Sequence, residues 1–420
     1  MKVYDLKADS EEQLAVVTAR TSRSPNTFDT ILAEVREKGH VQFLKTNVLG
    51  YGHDSVAEIV ACPAVALEDI SDLAANVIAI ADPQLRVQMT STRYQDMSQR
   101  TPWEQNTGST GVTHSGDGAR MVAEYLADFS AIDKILERTD HPRKRTLQCD
   151  IARSKLPAGI STQVAIRGDA RTMRDATAFC LGHTLAEVRE AGTLMRMVLK
   201  GDVETLFDRH VTPAESEYVT GTALDHSLLA IGEAEFVTGL DDVEEDAIQE
   251  IRAWRDSGWR RRFRMARSPF GPWLSAEICS DYGAYRDLRR NRTWVQSDVL
   301  PDPTATPDDA LWAFRALYPD VCEAIEKELP RGGQHERSRL SDPYVAPMGS
   351  VVSWRAGAHI FNWCYGLRLR SATVCHPGYA IPARNLMRDI MEHNRLADAL
   401  GLVESKHSLL GVEFSDRVPA

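Results

Sequence analysis

Two stretches of the chain echo each other at one separation. Ala152-Arg153-Ser154-Lys155-Leu156 is matched by Glu336-Arg337-Ser338-Arg339-Leu340, and eighteen residues after Arg153 and Arg337 stand Arg171 and Arg355, each opening an apolar helical pattern. Similarity at a fixed separation, here 184 residues, points to a duplicated unit. A chain of 420 residues also exceeds the size at which one hydrophobic core stops growing. The reading is therefore of two modules, residues 1–205 and 246–420. Between them lies a junction at 206–245, acidic and interrupted by Pro213, Gly221 and Gly239.

Periodicity fills in helices on both sides of the junction. Met121, Val122, Tyr125, Leu126, Phe129, Ile132, Ile135 and Leu136 recur at helical spacing and predict a helix over 116–137. Asn26 and Gly39 stand where a cap and a stop would bound a helix over 26–39. A long Ala-, Leu-, Met- and Glu-rich helix is expected over 172–200, with others at 246–260, 309–328 and 383–397. Residues 13–21 fit helix or strand. Pro- and Gly-rich breaks fall at 269–272, 301–307, 331–333 and 376–382. Composition alone predicts a helix-rich α+β protein.

Charge and cysteine usage narrow the functional classes. A net charge of -11 disfavours a wide nucleic-acid interface. Locally, seven arginines between Arg252 and Arg267 suit either a small, multiply charged anion or a solvated helix face paired with the acidic run 241–250. No run of apolar residues is long enough to cross a membrane as a helix, and the first residues lack the apolar stretch of a signal peptide, so the expected location is cytoplasmic. Seven cysteines without a Cys-x-x-Cys pair, and no His-Glu-x-x-His, predict neither a disulfide framework nor a metal centre.

Chemistry enters with an ordered set of motifs. Gly52-His53-Asp54-Ser55-Val56-Ala57-Glu58-Ile59 is followed by Ser91-Thr92-Arg93-Tyr94, Ala152-Arg153-Ser154-Lys155-Leu156-Pro157, Thr162, Asp169-Ala170-Arg171-Thr172-Met173 and Glu187-Val188-Arg189. In order and spacing this set resembles the flavin-dependent thymidylate synthases over roughly residues 50–195. The resemblance has gaps. Isoleucine 59 replaces a histidine, Ala81-Asp82-Pro83 stands where the family has Arg-His-Arg, and an arginine expected near Cys180 is missing. The second module holds what the first lacks: Arg286-Asp287-Leu288-Arg289-Arg290-Asn291-Arg292 resembles the Arg-His-Arg region, and Leu367-Arg368 the missing Leu-Arg.

The resemblance implies an α+β fold in each half, two related helix-rich modules with long helices on mixed or antiparallel sheets. It implies FAD as cofactor, methylenetetrahydrofolate as one-carbon donor, NADPH as electron source and a uridine nucleotide, dUMP by default with UMP as the other candidate, as methyl acceptor. By the same route His53 and Arg368 are the expected catalytic residues. Arg368 is placed to stabilise charge as C5 of the base becomes nucleophilic. Substrate contacts are expected from Ser91, Arg93, Tyr94, Arg153 and Arg189. Cofactor contacts are expected from Ser55, Glu58, Asp169, Arg171, Arg289, Arg290, Arg292, Arg355 and His359. A hydroxyl and a guanidinium two residues apart, Ser91 and Arg93, read as a phosphate clasp, and Arg290 with Arg292 as a pyrophosphate site. Complementary gaps imply a composite site and a homo-oligomer, a dimer of two-module chains. The alternative is a non-catalytic flavin- or nucleotide-binding protein with a degraded site.

Overall fold

Period-two patterning sets the strands. In Ser161–Arg167 the residues Val164 and Ile166 are buried, while Gln163, Ala165 and Arg167 between them face outward; in Val351–His359 the buried set is Val352, Trp354, Ala356 and Ala358. A computed structural model describes residues 6–21, 24–49, 60–62, 64–93, 115–138, 144–203, 205–206, 229–240, 243–256, 273–291, 293–329, 342–371 and 375–400, with positions 56, 58, 95, 97, 98, 100 and 102. The architecture is α+β, two small sheets with helix-rich surroundings. The chain divides into two compact units, residues 1–90 with 162–220, and residues 91–161 with 221–420.

The first unit holds β1 (Val65–Ser71), β2 (Arg86–Met89) and β3 (Ser161–Arg167) in the order β1-β3-β2. β2 and β3 run antiparallel, Arg86 opposite Arg167 and Met89 opposite Val164. Residues 13–21 resolve as helix, Glu11–Thr21. The next helix is Phe28–Lys38, capped one residue later than Asn26: Thr27 accepts from the Thr30 N–H, while the Asn26 amide donates to Glu34. Gly39 does end it, at φ +77°. The helix expected over 172–200 is two, Ala170–Gly182 and Ala186–Val203. His183 is extended, and its Nδ1 accepts the Leu185 N–H. A Cβ on Gly192 would lie 2.8 Å from Cys180 Cβ, so the two helices meet as closely as a glycine allows. Val16, Ile31, Val35, Ile78, Met173, Met195 and Leu199 form the core beneath.

The second unit holds β4 (Ala234–Thr238), β5 (Trp273–Asp281), β6 (Val295–Gln296) and β7 (Val351–His359), antiparallel in the order β4-β5-β7-β6. Its longest helix, Ser115–Arg138, buries Tyr125, Phe129, Ile132, Ile135 and Leu136 against Leu147, Ile151, Phe314, Val321 and Ile325. The stretch 376–382 is not a break but the start of helix Pro377–Glu392. Pro377 stands at its first turn, where a missing N–H costs nothing. Pro382 leaves the Gly378 carbonyl without its helical donor, and the Ser280 hydroxyl donates to that carbonyl at 2.7 Å instead.

Both sheets are laid down in the same order. A strand, a seven-residue helix and a second strand give β1, Asp72–Ile78 and β2, or β5, Tyr282–Leu288 and β6. A third strand then enters the middle, followed by two helices: β3 with Ala170–Gly182 and Ala186–Val203, or β7 with Ile360–Arg370 and Pro377–Glu392. The separation of 184 does not align these elements. Arg171 is the second residue of the helix after β3, whereas Arg355 sits in the middle of β7. A separation of 190 aligns the third strand and the helix after it, pairing Ser161 with Val351 and Ala170 with Ile360, while the first strand's end and the seven-residue helix correspond at 210, Ser71 with Asp281. Residues at the separation of 190 meet within the second unit, where Pro157 bridges Pro347 antiparallel. Ala158 N–H donates to Ala346 and Met348 N–H to Leu156, while Gly159 N–H donates to Tyr344 and Gly349 N–H to Ser154. These bonds interchange when each residue is replaced by the one 190 positions away.

Candidate functional site

Charge organises the interior of the second unit. Arg93, Asp150, Arg153, Arg286, Asp287 and Arg289 are all buried there, and buried charges persist only with partners. Arg93 Nε and Nη2 donate to the two carboxylate oxygens of Asp150 at 2.8 and 2.9 Å, and its Nη1 donates to Tyr379 Oη at 2.8 Å. Arg153 Nη1 donates to Asp287 Oδ2 at 2.9 Å, with Arg290 Nε 3.7 Å from the other oxygen. Burial works against charge on Arg93 and Arg153, but Asp150 and Asp287 more than offset it, so both guanidiniums hold their protons more firmly than usual. Burial likewise disfavours the Asp287 carboxylate, yet Arg153 and then Arg290 and Arg286 hold it well below the usual carboxylate range.

Beside these pairs lies a cavity of about 150 Å³. Asp117, Arg120 and Glu124, paired along one helix face and a third or more exposed, line its solvent end. Asp150, Arg153, Asp281 and His376 line its buried end, with Trp312, Phe314, Pro307, Pro347 and Met348 as walls. His376 is held by two bonds: its Nδ1 accepts the Gly378 N–H at 3.0 Å, and its Nε2 is 3.3 Å from the Asp150 carbonyl. Burial, with Arg153 next, pushes its pKa down to about 3, so the ring is neutral. Asp281 caps the helix Tyr282–Leu288 by accepting the Ala284 N–H at 2.7 Å, and burial lifts its carboxyl to about 6 against the pull of Arg153. Arg153 is 2% exposed, and its Nη2 has no hydrogen-bond partner among the described residues.

The residues expected from sequence fall in both units. Arg153 lines the cavity, and Arg93 holds its wall through Asp150. Ser91 does not form a clasp with the Arg93 guanidinium; its hydroxyl accepts the Arg93 backbone N–H at 3.3 Å. In the first unit Asp169 caps its helix through the Thr172 N–H, Arg171 pairs with Glu58, and Arg189 donates to the carbonyls of His183 and Thr184. In the second, Arg289 lies over the Tyr285 ring and pairs with Asp298, while Arg290 is partly exposed. Arg355 pairs with Glu277 on the outer face of β7, and His359 caps Ile360–Arg370. Arg368 lies on that helix. His53, Ser55, Tyr94 and Arg292 lie outside the described residues, as does most of the arginine run 252–267.

Asp150, Asp281, Asp287, His376 and Tyr379 were not anticipated. A signal existed for two of them. A motif arginine inside an apolar pattern needs a buried carboxylate, and Asp150 and Asp287 stand within or beside the motifs already marked. Burial pushes the Cys180 and Cys364 thiols up to about 12, away from the thiolate a nucleophile needs. Among the described residues no three His, Cys, Asp or Glu gather as metal ligands, and no helix is long and apolar enough to cross a membrane.

Comparison with known proteins adds a partial likeness. Residues 5–202 match the model of the family described as thymidylate synthase complementing protein, just under half of the chain. A UPF0159 protein of Chlamydia pneumoniae is 24% identical over 157 residues, covering 36% of this chain and 29% of that protein's length. The likeness is therefore that of a divergent relative. The matched stretch includes Arg120, Asp150 and Arg153 of the cavity, whereas Asp281, Trp312 and His376 lie beyond it.

Proposed function

We propose that this chain is a flavin-dependent enzyme that methylates C5 of a uridine nucleotide, dUMP or UMP, with methylenetetrahydrofolate as donor and NADPH as reductant. The observation that supports this most is the position of Ala152–Pro157: the stretch that carries the family likeness also walls the cavity, through Arg153, Ser154 and Lys155. The two sheets are read as related modules whose third strands and following helices correspond at a separation of 190, with the site built in the second unit. A dimer of such chains remains part of the proposal.

The donor set fits a flavin dinucleotide in one respect. Arg290 presents a partly exposed guanidinium whose nearest carboxylate is 3.7 Å away, suited to a phosphate, whereas Arg289 is committed to Asp298 and Tyr285. A bound flavin would supply the hydride; this chain's residues would bind, orient and polarise the nucleotide. Arg368 is assigned to the base. Arg93, engaged with Asp150 and Tyr379, shapes the site instead of gripping a phosphate.

The test is absorbance near 450 nm in the purified chain, with tritium release from C5-labelled dUMP and UMP in the presence of methylenetetrahydrofolate. Release that falls about 10²-fold in kcat in Arg368→Ala supports the reading. A flavin-loaded chain inert toward both nucleotides overturns it. The second reading, a binding protein with a degraded site, is favoured by one observation: both motif arginines of the site are held in buried ion pairs. Flavin or nucleotide binding without turnover would select it.

A further inference from the structure

We infer that the buried end of the cavity recognises the lactam edge of a planar heterocycle, a C=O beside an N–H, with Arg153 donating to the carbonyl and Asp281 accepting from the N–H. Arg153 uses Nη1 on Asp287 and leaves Nη2 buried with no partner among the described residues. A buried charged donor left in that state is costly, so an acceptor belongs there. Asp281 accepts the Ala284 N–H on Oδ1 and its own backbone N–H, and its carboxyl lines the cavity. Glycines let the backbone pass close to both groups. A Cβ on Gly283 would come within 3.1 Å of Asp281 Oδ1 and 3.5 Å of Arg153 Nη2, and one on Gly378 within 2.6 Å of Asp281 Oδ2. The carboxyl and the spare guanidinium arm thus flank one small residue.

The charge around them selects a neutral edge over an anion. Arg153 already faces Asp287, Asp150 and Asp281, the carboxyl groups that act on it most strongly. A phosphate or carboxylate placed there would meet three acidic groups, with the neighbouring Arg93 already bound to both oxygens of Asp150. A lactam brings one acceptor and one donor and no charge. The walls agree: Trp312, Phe314, Pro307 and Pro347 offer flat apolar surface to a ring.

The site rests on the proposed function only in the choice of probes, since uracil, pterin and isoalloxazine all carry a lactam edge. Calorimetric titration of the full chain with UMP, folic acid and riboflavin separates the three sources. Each is paired with its analogue methylated on the lactam nitrogen. At least one parent compound should bind one-to-one, and methylation should weaken it tenfold or more, because a site built around a hydrogen bond rejects the analogue lacking it. Asp281→Ala should bind the parent as poorly as wild type binds the methylated form, and should no longer distinguish the two. Equal binding of parent and methylated compounds by the wild-type chain overturns the inference, as does binding of none of the three. The wild-type comparison stands even if Asp281→Ala fails to fold. Absent methyl discrimination in the wild-type chain with tritium release intact sinks this inference alone; absent flavin and tritium release with wild-type discrimination intact sinks only the proposed reaction.

Discussion

Ser71 and Asp281 occupy the same place in their sheets and differ in how they are closed. Each is the last residue of a first strand and caps the seven-residue helix that follows, accepting the N–H of Ala74 or Ala284. Around Ser71 a carboxylate completes the bonding: Glu187 accepts the Ser71 N–H at 2.7 Å and the hydroxyl at 2.5 Å. Around Asp281 the capping carboxyl itself lines the cavity. One arrangement of strands and helices thus has one sealed end and one open end. What separates a structural corner from a candidate site here is the incomplete satisfaction of buried polar groups, not the fold.

The comparison breaks first on the open side if the buried arginines are not structural. Arg153→Met takes from Asp287 its hydrogen-bonded partner and leaves it the weaker pull of Arg290 and Arg286, and breaking a buried pair from one side costs roughly 3–5 kcal/mol. Urea unfolding should show that loss, and the double variant Arg153→Met, Asp287→Leu should recover much of it. A single variant as stable as wild type would show that the pair carries no weight in folding.

The sealed end gives the next largest effect. Glu187→Ala strands the Ser71 N–H and hydroxyl, at a cost of about 2–3 kcal/mol for charge-assisted bonds. Asp281→Ala removes a helix cap, at about 1 kcal/mol. Thermal melts in which the two variants fall equally would erase the distinction between closed and open corners.

How much of this was legible in sequence follows from what each residue does locally. The apolar stripe of Ser115–Arg138 is set by neighbours along the chain and was readable, whereas the strands were not read from their alternation: Arg355, taken to open a helical pattern, lies inside β7. The break at His183 and the helix through Pro382 were not, because a side chain from another element decides each: Gly192 against Cys180, and Ser280 on the Gly378 carbonyl. The motif arginines were found, but not their states. Whether Arg153 binds a ligand or a carboxylate depends on Asp287, 134 positions away. The 184-residue echo pairs Arg171, near a helix start, with Arg355, inside β7, and the correspondence at 190 rests on element order with little residue identity.

Acidification sharpens the open corner through opposed titrations. Asp281 has its folded pKa raised to about 6, so its contribution is present at low pH and is lost as pH rises through about 4 to 6. His376 has its folded pKa lowered to about 3, so its contribution is present above its ordinary value and is lost as pH falls from about 6.5. Between pH 4 and 6 the two slopes oppose each other. Asp281→Asn removes the first, and its stability should then fall as pH is lowered by about 1 kcal/mol per pH unit more steeply than wild type over that window. Parallel stability curves for the two proteins would mean that Asp281 does not titrate with folding.

The smallest effect belongs to the exposed motif arginines. Arg355 is 59% exposed and pairs with Glu277 on the outer face of β7, a pair that water and salt largely screen. Arg355→Ala should change stability by about 0.5 kcal/mol or less, a shift of roughly 1–2 °C in melting temperature for a unit of this size. Its proposed role is toward a flavin, and a binding role leaves a different trace from a folding one. Flavin retained after purification should drop in Arg355→Ala if the guanidinium meets the cofactor, while the melt of the flavin-free chain stays in place. A loss of stability as large as that of Arg153→Met would remove the contrast between buried and exposed motif arginines. Unchanged stability with unchanged flavin content would leave Arg355 and Glu277 as a solvated surface pair, and the cofactor contact would pass to Arg290.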